Sequence, residues 1–105
     1  MFELVDSLEG PTLTLRARGE IDASTAPELR RHLQESLTSE ATRVVADLTG
    51  VDFLDSAGIG VLVEGHRRLE EAEKALVVRV SNPSTLRVLS ITGMDRYFTL
   101  EKVEP

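Results

Sequence analysis

Cysteine and tryptophan are absent from this chain of 105 residues, and aromatic residues make up only 4% of it. Without cysteine the protein forms no disulfide, has no thiol nucleophile and offers no thiolate ligand to a metal, although the redox compartment stays undetermined. The shortage of aromatic residues predicts a core built from aliphatic side chains.

Long apolar runs are missing as well. No segment approaches the length that spans a membrane, and residues 1–6 lack the basic start and the apolar stretch of a secretion signal. We therefore expect a cytoplasmic protein. The length predicts a single domain over residues 1–105, with no room for a second catalytic domain.

Basic residues are outnumbered, with 12 Lys and Arg against 18 Asp and Glu, which gives a net charge of −6 and a pI of about 4.9. Bulk electrostatics therefore disfavour binding to nucleic acid or to an anionic membrane. A partner with a basic surface suits the chain better. No long exposed apolar stripe predicts a stable dimer, so we expect a monomer or a weak dimer.

Hydrophobic periodicity and turn residues predict an α/β fold in the order β-β-α-β-α-β-α-β. The first two strands form an antiparallel hairpin, and Thr25 to Glu28 matches a capping box at the start of the first helix. The predicted elements are strands at 2–8 and 12–18, a helix at 25–38, a strand at 43–48, a helix at 57–72, a strand at 76–80, a helix from 82 that stops at Gly93, and a strand at 98–100.

The segment from Asp47 to Leu62 is the most informative, because an apolar strand there gives way to helical spacing across an acidic turn at residues 49–55. Ser56 opens the helix, and we interpret it as the N-cap residue, the commonest role of serine in that position. The turn lies at the carboxyl end of a strand, where open α/β sheets tend to place their sites.

Three segments, in this order, resemble the STAS-domain anti-sigma factor antagonists of bacteria. They are GEIDASTAPEL at residues 19–29, DLTGVDFLDSAGIGVLV at 47–63 and LRVLSITGMDRYF at 86–98. The resemblance covers about four-fifths of the chain. It implies the STAS fold, a single mixed β-sheet of four or five strands with α-helices packed against it. It also implies that Ser56 is phosphorylated.

The resemblance further implies a non-catalytic protein that needs no cofactor. Its unphosphorylated form would bind a cognate anti-sigma factor and so release a sigma factor. That anti-sigma factor is often a serine kinase, which would phosphorylate Ser56 and dissociate the pair, and a PP2C-type phosphatase would restore the active form. ATP and Mg²⁺ would belong to these partners.

Partner contacts are expected around the serine. The candidate partner-binding residues are Asp22, Thr25, Asp52, Asp55, Ser56, Ala57 and Gly58. Glu20 is a weaker candidate, since its place in an alternating strand indicates exposure. On the residues alone, Asp22 is a turn residue.

Other kinds of site fit the sequence poorly. Gly58 and Gly60 lack the remainder of a phosphate-binding loop, so we expect them, with Gly65, to allow close packing of the helix. His32 and His66 have no metal-binding spacing and are predicted on the surface. Ser56 lacks the G-x-S-x-G elbow of a hydrolase nucleophile.

Rival functions stay open. STAS domains also serve as scaffold subunits of stress-sensing complexes and as small subunits of lipid-transport ATPase assemblies, and a nucleotide hydrolase is a third reading. The chain departs from the family in two places: Glu73 to Ala75 stand where a glycine is frequent, and Ala57 replaces a second hydroxyl residue. Met94, Tyr97 and Phe98 are expected to close the core beneath the last strand.

Overall fold

The computed structural model describes residues 1–104. Its elements are β1 (Phe2–Glu9), β2 (Thr12–Ile21), α1 (Ala26–Leu37), β3 (Arg43–Leu54), α2 (Ser56–Glu71), β4 (Ala75–Val80), α3 (Pro83–Ile91), α4 (Met94–Tyr97) and β5 (Thr99–Lys102). The strands form one sheet in the order β1-β2-β3-β4-β5. The first pair is antiparallel and the other pairs are parallel, so the predicted mixed sheet and element order are confirmed, with α4 as an unpredicted addition.

The predicted hairpin of β1 and β2 is confirmed, and both strands run further than the sequence indicated. Gly19 takes a φ of 100°, and a side chain there would collide with the carbonyl oxygen of Met1. Beyond this glycine, β2 continues beside the second half of β3, with register shifts that place Ile21 opposite Leu54. The hairpin therefore extends the sheet towards the end where the helices begin.

β3 runs to Leu54 and corrects the predicted strand of residues 43–48, because the expected turn at 49–55 is mostly strand. On one side, β2 pairs with it to the end. On the other side, β4 stops pairing at Asp47, and the start of α3 takes its place. There, the Thr85 hydroxyl donates to the Val51 carbonyl at 3.2 Å. Pairing with β2 thus keeps residues 49–54 in a strand, although their composition is typical of a turn.

The core on the helix side of the sheet is aliphatic, as predicted. Phe98 is the one aromatic residue buried in it among the described residues. Close packing of the helix glycines holds for Gly58 and Gly65, where an added Cβ would lie 2.5 Å from the Leu54 side chain and 2.9 Å from the Leu33 side chain, respectively. The same prediction is wrong for Gly60, which faces open space.

The opposite face of the sheet carries a row of charged residues in adjacent register, Arg16, Asp47, Arg79 and Glu101, which we call the charged row. Asp47 is only 4% exposed. Its carboxylate accepts hydrogen bonds from the Thr49 N–H at 3.0 Å and from the Thr49 hydroxyl at 2.7 Å, and it lies 3.4 Å from Arg16 Nε and 3.7 Å from Arg79 Nη1. Burial alone would raise the pKa of Asp47, but these hydrogen bonds and the Arg79 charge outweigh it and lower that pKa below 3.8.

The junction after α2 has Glu73 to Ala75 where the sequence analysis noted that a glycine is frequent. Glu73 adopts a φ of 61°, the left-handed conformation that glycine adopts most easily. The Lys74 N–H bonds back to the Leu69 carbonyl at 2.8 Å, and the Lys74 ammonium binds the carbonyls of Ser36 and Ser39 at the end of α1. The helix end is therefore well defined despite the missing glycine.

The aromatic residues near the C-terminus are placed differently from each other. Phe98 closes the core as predicted, and Met94 packs against it. Tyr97 is 43% exposed, so its predicted burial is wrong. His66 is not a plain surface residue either, because its ring meets Tyr97 edge-on with centroids 4.9 Å apart and its Nδ1 is buried.

Across residues 1–104, none of the helices combines the length and the apolar character needed to cross a membrane.

Candidate functional site

Three parallel strands, β2, β3 and β4, end at the same side of the sheet, and a helix begins after each of them. Polar residues fill the three connections, since α1 follows the turn at Asp22–Thr25, α2 follows Asp55 and α3 follows Asn82. We call this side the carboxyl edge, defined by Asp22, Thr25, Asp52, Asp55 and Ser56. Asp22, Thr25, Asp55 and Ser56 lie just after the ends of strands, as predicted, whereas Asp52 lies within β3 and not in the predicted turn.

Asp55, not Ser56, is the N-cap of α2, which corrects the sequence interpretation. Asp55 has extended backbone angles, and its carboxylate accepts hydrogen bonds from the N–H groups of Ala57 at 2.9 Å and Gly58 at 3.4 Å. Ser56 is the first helical residue and is exposed. Within residues 1–104 its hydroxyl has no hydrogen-bond partner, so it is free to react or to be contacted.

Asp22 organises the turn before α1. Its Oδ1 accepts hydrogen bonds from the Ser24 hydroxyl at 2.7 Å, from the Ser24 N–H at 2.9 Å and from the Thr25 N–H at 3.3 Å. Led by the Ser24 hydroxyl, these donors lower the pKa of Asp22 below 3.8. The turn role predicted for Asp22 is confirmed, and its carboxylate is ionised at neutral pH.

Thr25 does not form the predicted capping box. Its hydroxyl donates to the Glu20 carbonyl at 2.8 Å and accepts from the Asp22 N–H at 2.9 Å, so it closes the turn instead of capping α1. No side chain among the described residues caps that helix, which begins with Ala26 and Pro27. Thr25 thus joins the end of β2 to the turn that carries Asp22.

The turns after β2 and β3 are directly joined. The Asp55 N–H donates to the Ile21 carbonyl at 3.2 Å, and Gly58 is buried against Ile21 and Leu54. Since Asp22 follows Ile21 in the chain, its turn lies beside the first turn of α2. Asp52 is exposed on β3 and completes the group.

The carboxylates at this edge are unbalanced by positive charge. In the part of the chain that the structure describes, none of them lies within 4.0 Å of a lysine, arginine or histidine nitrogen, as the ion pairs all lie elsewhere. The unpaired carboxylates are those of Glu20, Asp22, Asp52 and Asp55. The edge is therefore an acidic surface suited to a basic partner.

Phe53 is a surface residue that the sequence analysis missed. It lies between Asp52 and Leu54, pairs in register with Glu20 and is 48% exposed. The expected turn at 49–55 hid its position on a strand face. The sequence did contain a signal for it. Aromatic residues are rare in this chain, and Phe53 lies only two residues before the cap of α2.

Ser84 is a second unpredicted residue at the edge. The Asn82 side chain caps α3 by accepting a hydrogen bond from the Ser84 N–H at 2.9 Å. The Ser84 hydroxyl donates to Asn82 Oδ1 at 2.8 Å and to the Asp52 carbonyl at 3.4 Å. Unlike the Ser56 hydroxyl, it is already engaged in hydrogen bonds.

Neither histidine lies beside Ser56, because His66 packs on Tyr97 and His32 bonds to Asp6 at 2.7 Å. The arrangement thus offers an exposed hydroxyl without the neighbouring base that activates a serine nucleophile. Asp6, His32 and Glu35 are close enough to resemble a metal site. However, the Arg31 guanidinium is hydrogen-bonded to both the Glu35 carboxylate and His32 Nε2, each at 3.1 Å. These contacts are typical of a surface hydrogen-bond network and not of a metal site.

Comparison with known proteins gives consistent matches. The family model described as "Mlab, STAS domain" matches residues 5–103. The anti-sigma-B factor antagonist of Listeria monocytogenes is 34% identical over 86 residues, which cover 82% of this chain and 75% of that protein. The anti-sigma-F factor antagonist of Mycobacterium tuberculosis is 33% identical over 82 residues, covering 78% and 66%. The crystal structure of an anti-sigma factor antagonist from Mycobacterium paratuberculosis superposes with a TM-score of 0.87 and 28% identity, covering 95% and 85%.

Proposed function

Because this chain belongs to the STAS domain family, we propose that it is an anti-sigma factor antagonist that binds its anti-sigma factor through the carboxyl edge. The names of its relatives from Listeria and Mycobacterium support this assignment. The observation that carries the proposal is the exposed, unbonded hydroxyl of Ser56, held on the first turn of α2 among unpaired carboxylates.

The contact surface has a distinct chemistry. Asp22 and Asp52 supply negative charge, and the exposed ring of Phe53, the residue after Asp52, supplies an apolar anchor. Aromatic anchors surrounded by polar residues dominate many protein interfaces. The matching partner surface is basic at its rim and has an apolar pocket at its centre. Thr25 and Ala57 lie within the same surface, whereas Gly58 is buried and contributes through close packing.

Phosphorylation of Ser56 is the proposed switch. The anti-sigma factor acts as the serine kinase and supplies ATP and Mg²⁺. The Ser56 hydroxyl oxygen attacks the γ-phosphorus, the bond to the bridging oxygen breaks, ADP leaves, and the hydroxyl proton passes to a base of the kinase. A PP2C-type phosphatase hydrolyses the phosphoserine and restores the hydroxyl.

The switch works by charge and bulk. A phosphoserine carries about −1.5 to −2 charges at neutral pH. On Ser56 this charge adds to the negative charges of Asp52 and Asp55. In the described part of the chain, no positively charged side chain lies close enough to those two carboxylates to balance it. A basic partner surface still attracts the edge at long range, but a fitted contact has no room for a bulky dianion at its centre. Release follows from local exclusion, without unfolding of α2.

The first test is phosphorylation of the purified protein by ATP and the candidate anti-sigma kinases of its own cell, followed by intact-mass measurement and site mapping. We expect one phosphate on the wild type and none on Ser56→Ala. Ser84→Ala is the matched control, because Ser84 is another exposed serine at the same edge, and it should be phosphorylated like the wild type.

The second test is binding of the kinase by the unmodified protein and by the phosphoprotein. We expect the phosphoprotein to bind more weakly, and equal affinity would contradict the switch. If no candidate kinase adds phosphate and the protein instead stays bound to an ATPase or a scaffold, the alternative role as a non-switching subunit is supported.

A further inference from the structure

The first turn of α2 is capped by the side chain of Asp55. Helices begin with four N–H groups that have no partner within the helix. In α2 the Asp55 carboxylate binds two of them, those of Ala57 and Gly58, while the Asp55 carbonyl binds the N–H of Ile59 at 3.1 Å. The Asp55 side chain therefore satisfies two of the four N–H groups that lack a partner within the helix, and the Ile59 bond is the first regular bond of α2.

A phosphate on Ser56 would compete for those same donors. Free helix N-termini bind phosphate, because their N–H groups and partial positive charge point at the anion. Ser56 is the first helical residue, so its phosphate would lie within reach of the turn if the turn were free. Asp55 already holds that position with a negatively charged carboxylate.

We propose that Asp55 is a positioning residue that keeps the phosphate of Ser56 outside the N-terminus of α2, directed towards the partner surface and the phosphatase. The inference rests on the proposed function, since it assumes that Ser56 carries a phosphate. It adds how the modified state is presented: the phosphate keeps its full charge exposed, and the cap of α2 is the same in both states.

The physical consequence is a stronger switch. A phosphate bound by the helix would share its charge with two N–H groups and would be partly shielded from solvent. Held outside, it occupies the space that a fitted contact needs, and it stays accessible to hydrolysis. The adjacent Asp55 and the nearby Asp52 repel it further from the protein surface.

The test needs no kinase, because phosphoserine can be installed at position 56 during synthesis. The full chain is prepared as the wild type, Asp55→Asn and Asp55→Gly. Asparagine removes the charge but caps as well as aspartate does, and glycine removes charge and cap side chain while remaining tolerated at an N-cap. The two variants therefore have equal charge and differ only in the capping group.

Phosphorus and amide NMR spectra are recorded while the pH is varied around 6, where phosphoserine takes up its second charge. We expect the phosphate pKa to be lower in Asp55→Gly than in Asp55→Asn, by about one unit, because the freed N–H groups stabilise the dianion. The amide protons of Ala57 and Gly58 should follow the phosphate titration in the glycine variant alone.

Equal phosphate pKa values in the two variants would overturn the proposal, as would amide protons of Ala57 and Gly58 that follow the phosphate in the wild type. The unmodified Asp55→Gly protein, measured in parallel, shows whether α2 keeps its fold. If it does not, the wild-type amide titration alone decides the outcome. Failure of every kinase to modify Ser56 would instead contradict the proposed function and leave these spectra unchanged.

Discussion

Asp47 and Asp52 lie on the same strand, β3, and the structure treats their carboxylates in opposite ways. Asp47 is buried in the charged row, with two arginines and both donors of Thr49 around it. Asp52 is exposed at the carboxyl edge, and no cationic group lies within 4.0 Å of its carboxylate in residues 1–104. The charge of Asp47 is neutralised within the fold, and the charge of Asp52 is not.

The difference comes from the neighbouring strands. β4 pairs with β3 as far as Asp47 and places Arg79 directly opposite it. Beyond that point β4 ends, and the start of α3 offers hydroxyl groups instead of cations. Asp52, further along β3, therefore has no counter-charge among the described residues. The length of β4 therefore separates the part of β3 whose carboxylate is paired from the part whose carboxylate is exposed.

The largest expected effect is on stability, at Asp47. Asp47→Ala should lower the free energy of unfolding by about 2 to 3 kcal/mol, because Arg79 loses one of its two carboxylate partners and the Thr49 donors lose their acceptor. Asp52→Ala is the matched control on the same strand and should change it by less than about 0.5 kcal/mol. Urea denaturation measures both, and equal effects would remove the distinction between the two regions.

The largest expected effect on partner binding is at Phe53. Phe53→Ala should weaken the complex with the anti-sigma factor by about 2 kcal/mol, as expected for a central aromatic anchor. Calorimetric titration of the unmodified proteins measures this loss. Tyr97→Ala is the control, because Tyr97 is similarly exposed but lies on α4, outside the carboxyl edge. A loss of the same size in both variants would argue against an interface centred on Phe53.

The pH dependence of stability should report on Asp47. The folded state lowers the pKa of Asp47 from 3.8, so the stabilisation is complete above that value and is lost as the pH falls through the lowered pKa. Thermal unfolding between pH 6 and pH 2 should therefore show a steep acid loss in the wild type. Asp47→Asn should flatten that part of the curve, and an equally steep acid loss in that variant would contradict the prediction.

A smaller effect is expected on the rate of association. Asp52→Asn should slow binding of a basic partner by roughly a factor of two, equivalent to about 0.5 kcal/mol, because one attractive charge is removed from the rim. Stopped-flow measurements at increasing salt should make the variant and the wild type converge. A difference that persists at high salt would point to a direct contact instead of long-range attraction.

The smallest effect lies far from both regions. Glu73→Gly should stabilise the fold by about 0.5 to 1 kcal/mol, since glycine adopts the left-handed conformation at that position without strain. Partner binding should stay unchanged, because the end of α2 is remote from its first turn. A destabilised variant would show that the Glu73 side chain contributes more than its backbone strain costs.

The order of elements was predictable because each depends on a local pattern. Leu29, Leu33 and Leu37 recur at helical spacing, and residues 12–18 alternate, so short windows identified α1 and β2. The family resemblance was confirmed for the same reason, since its three segments are continuous in sequence. Other features were missed because they depend on remote neighbours, such as the pairing that carries β3 to Leu54 and exposes Phe53 on a strand.

The candidate site divides in the same way. The sequence located Ser56 at the start of a helix that follows a strand, and it grouped Asp22, Asp52 and Asp55 with it. It could not decide which residue caps α2, because aspartate and serine cap about equally well and the answer depends on where β3 ends. The role of Ser56 in binding and phosphorylation stays a prediction.

The sequence by itself determined the fold class, the family and the neighbourhood of Ser56, since periodicity and short motifs are encoded within single elements. Only the tertiary structure decided how far β3 runs, that Asp55 is the cap, and that Asp47 is neutralised while Asp52 is not. The physical reason is separation along the chain: Arg16 and Asp47 are 31 residues apart and meet only once the sheet has formed.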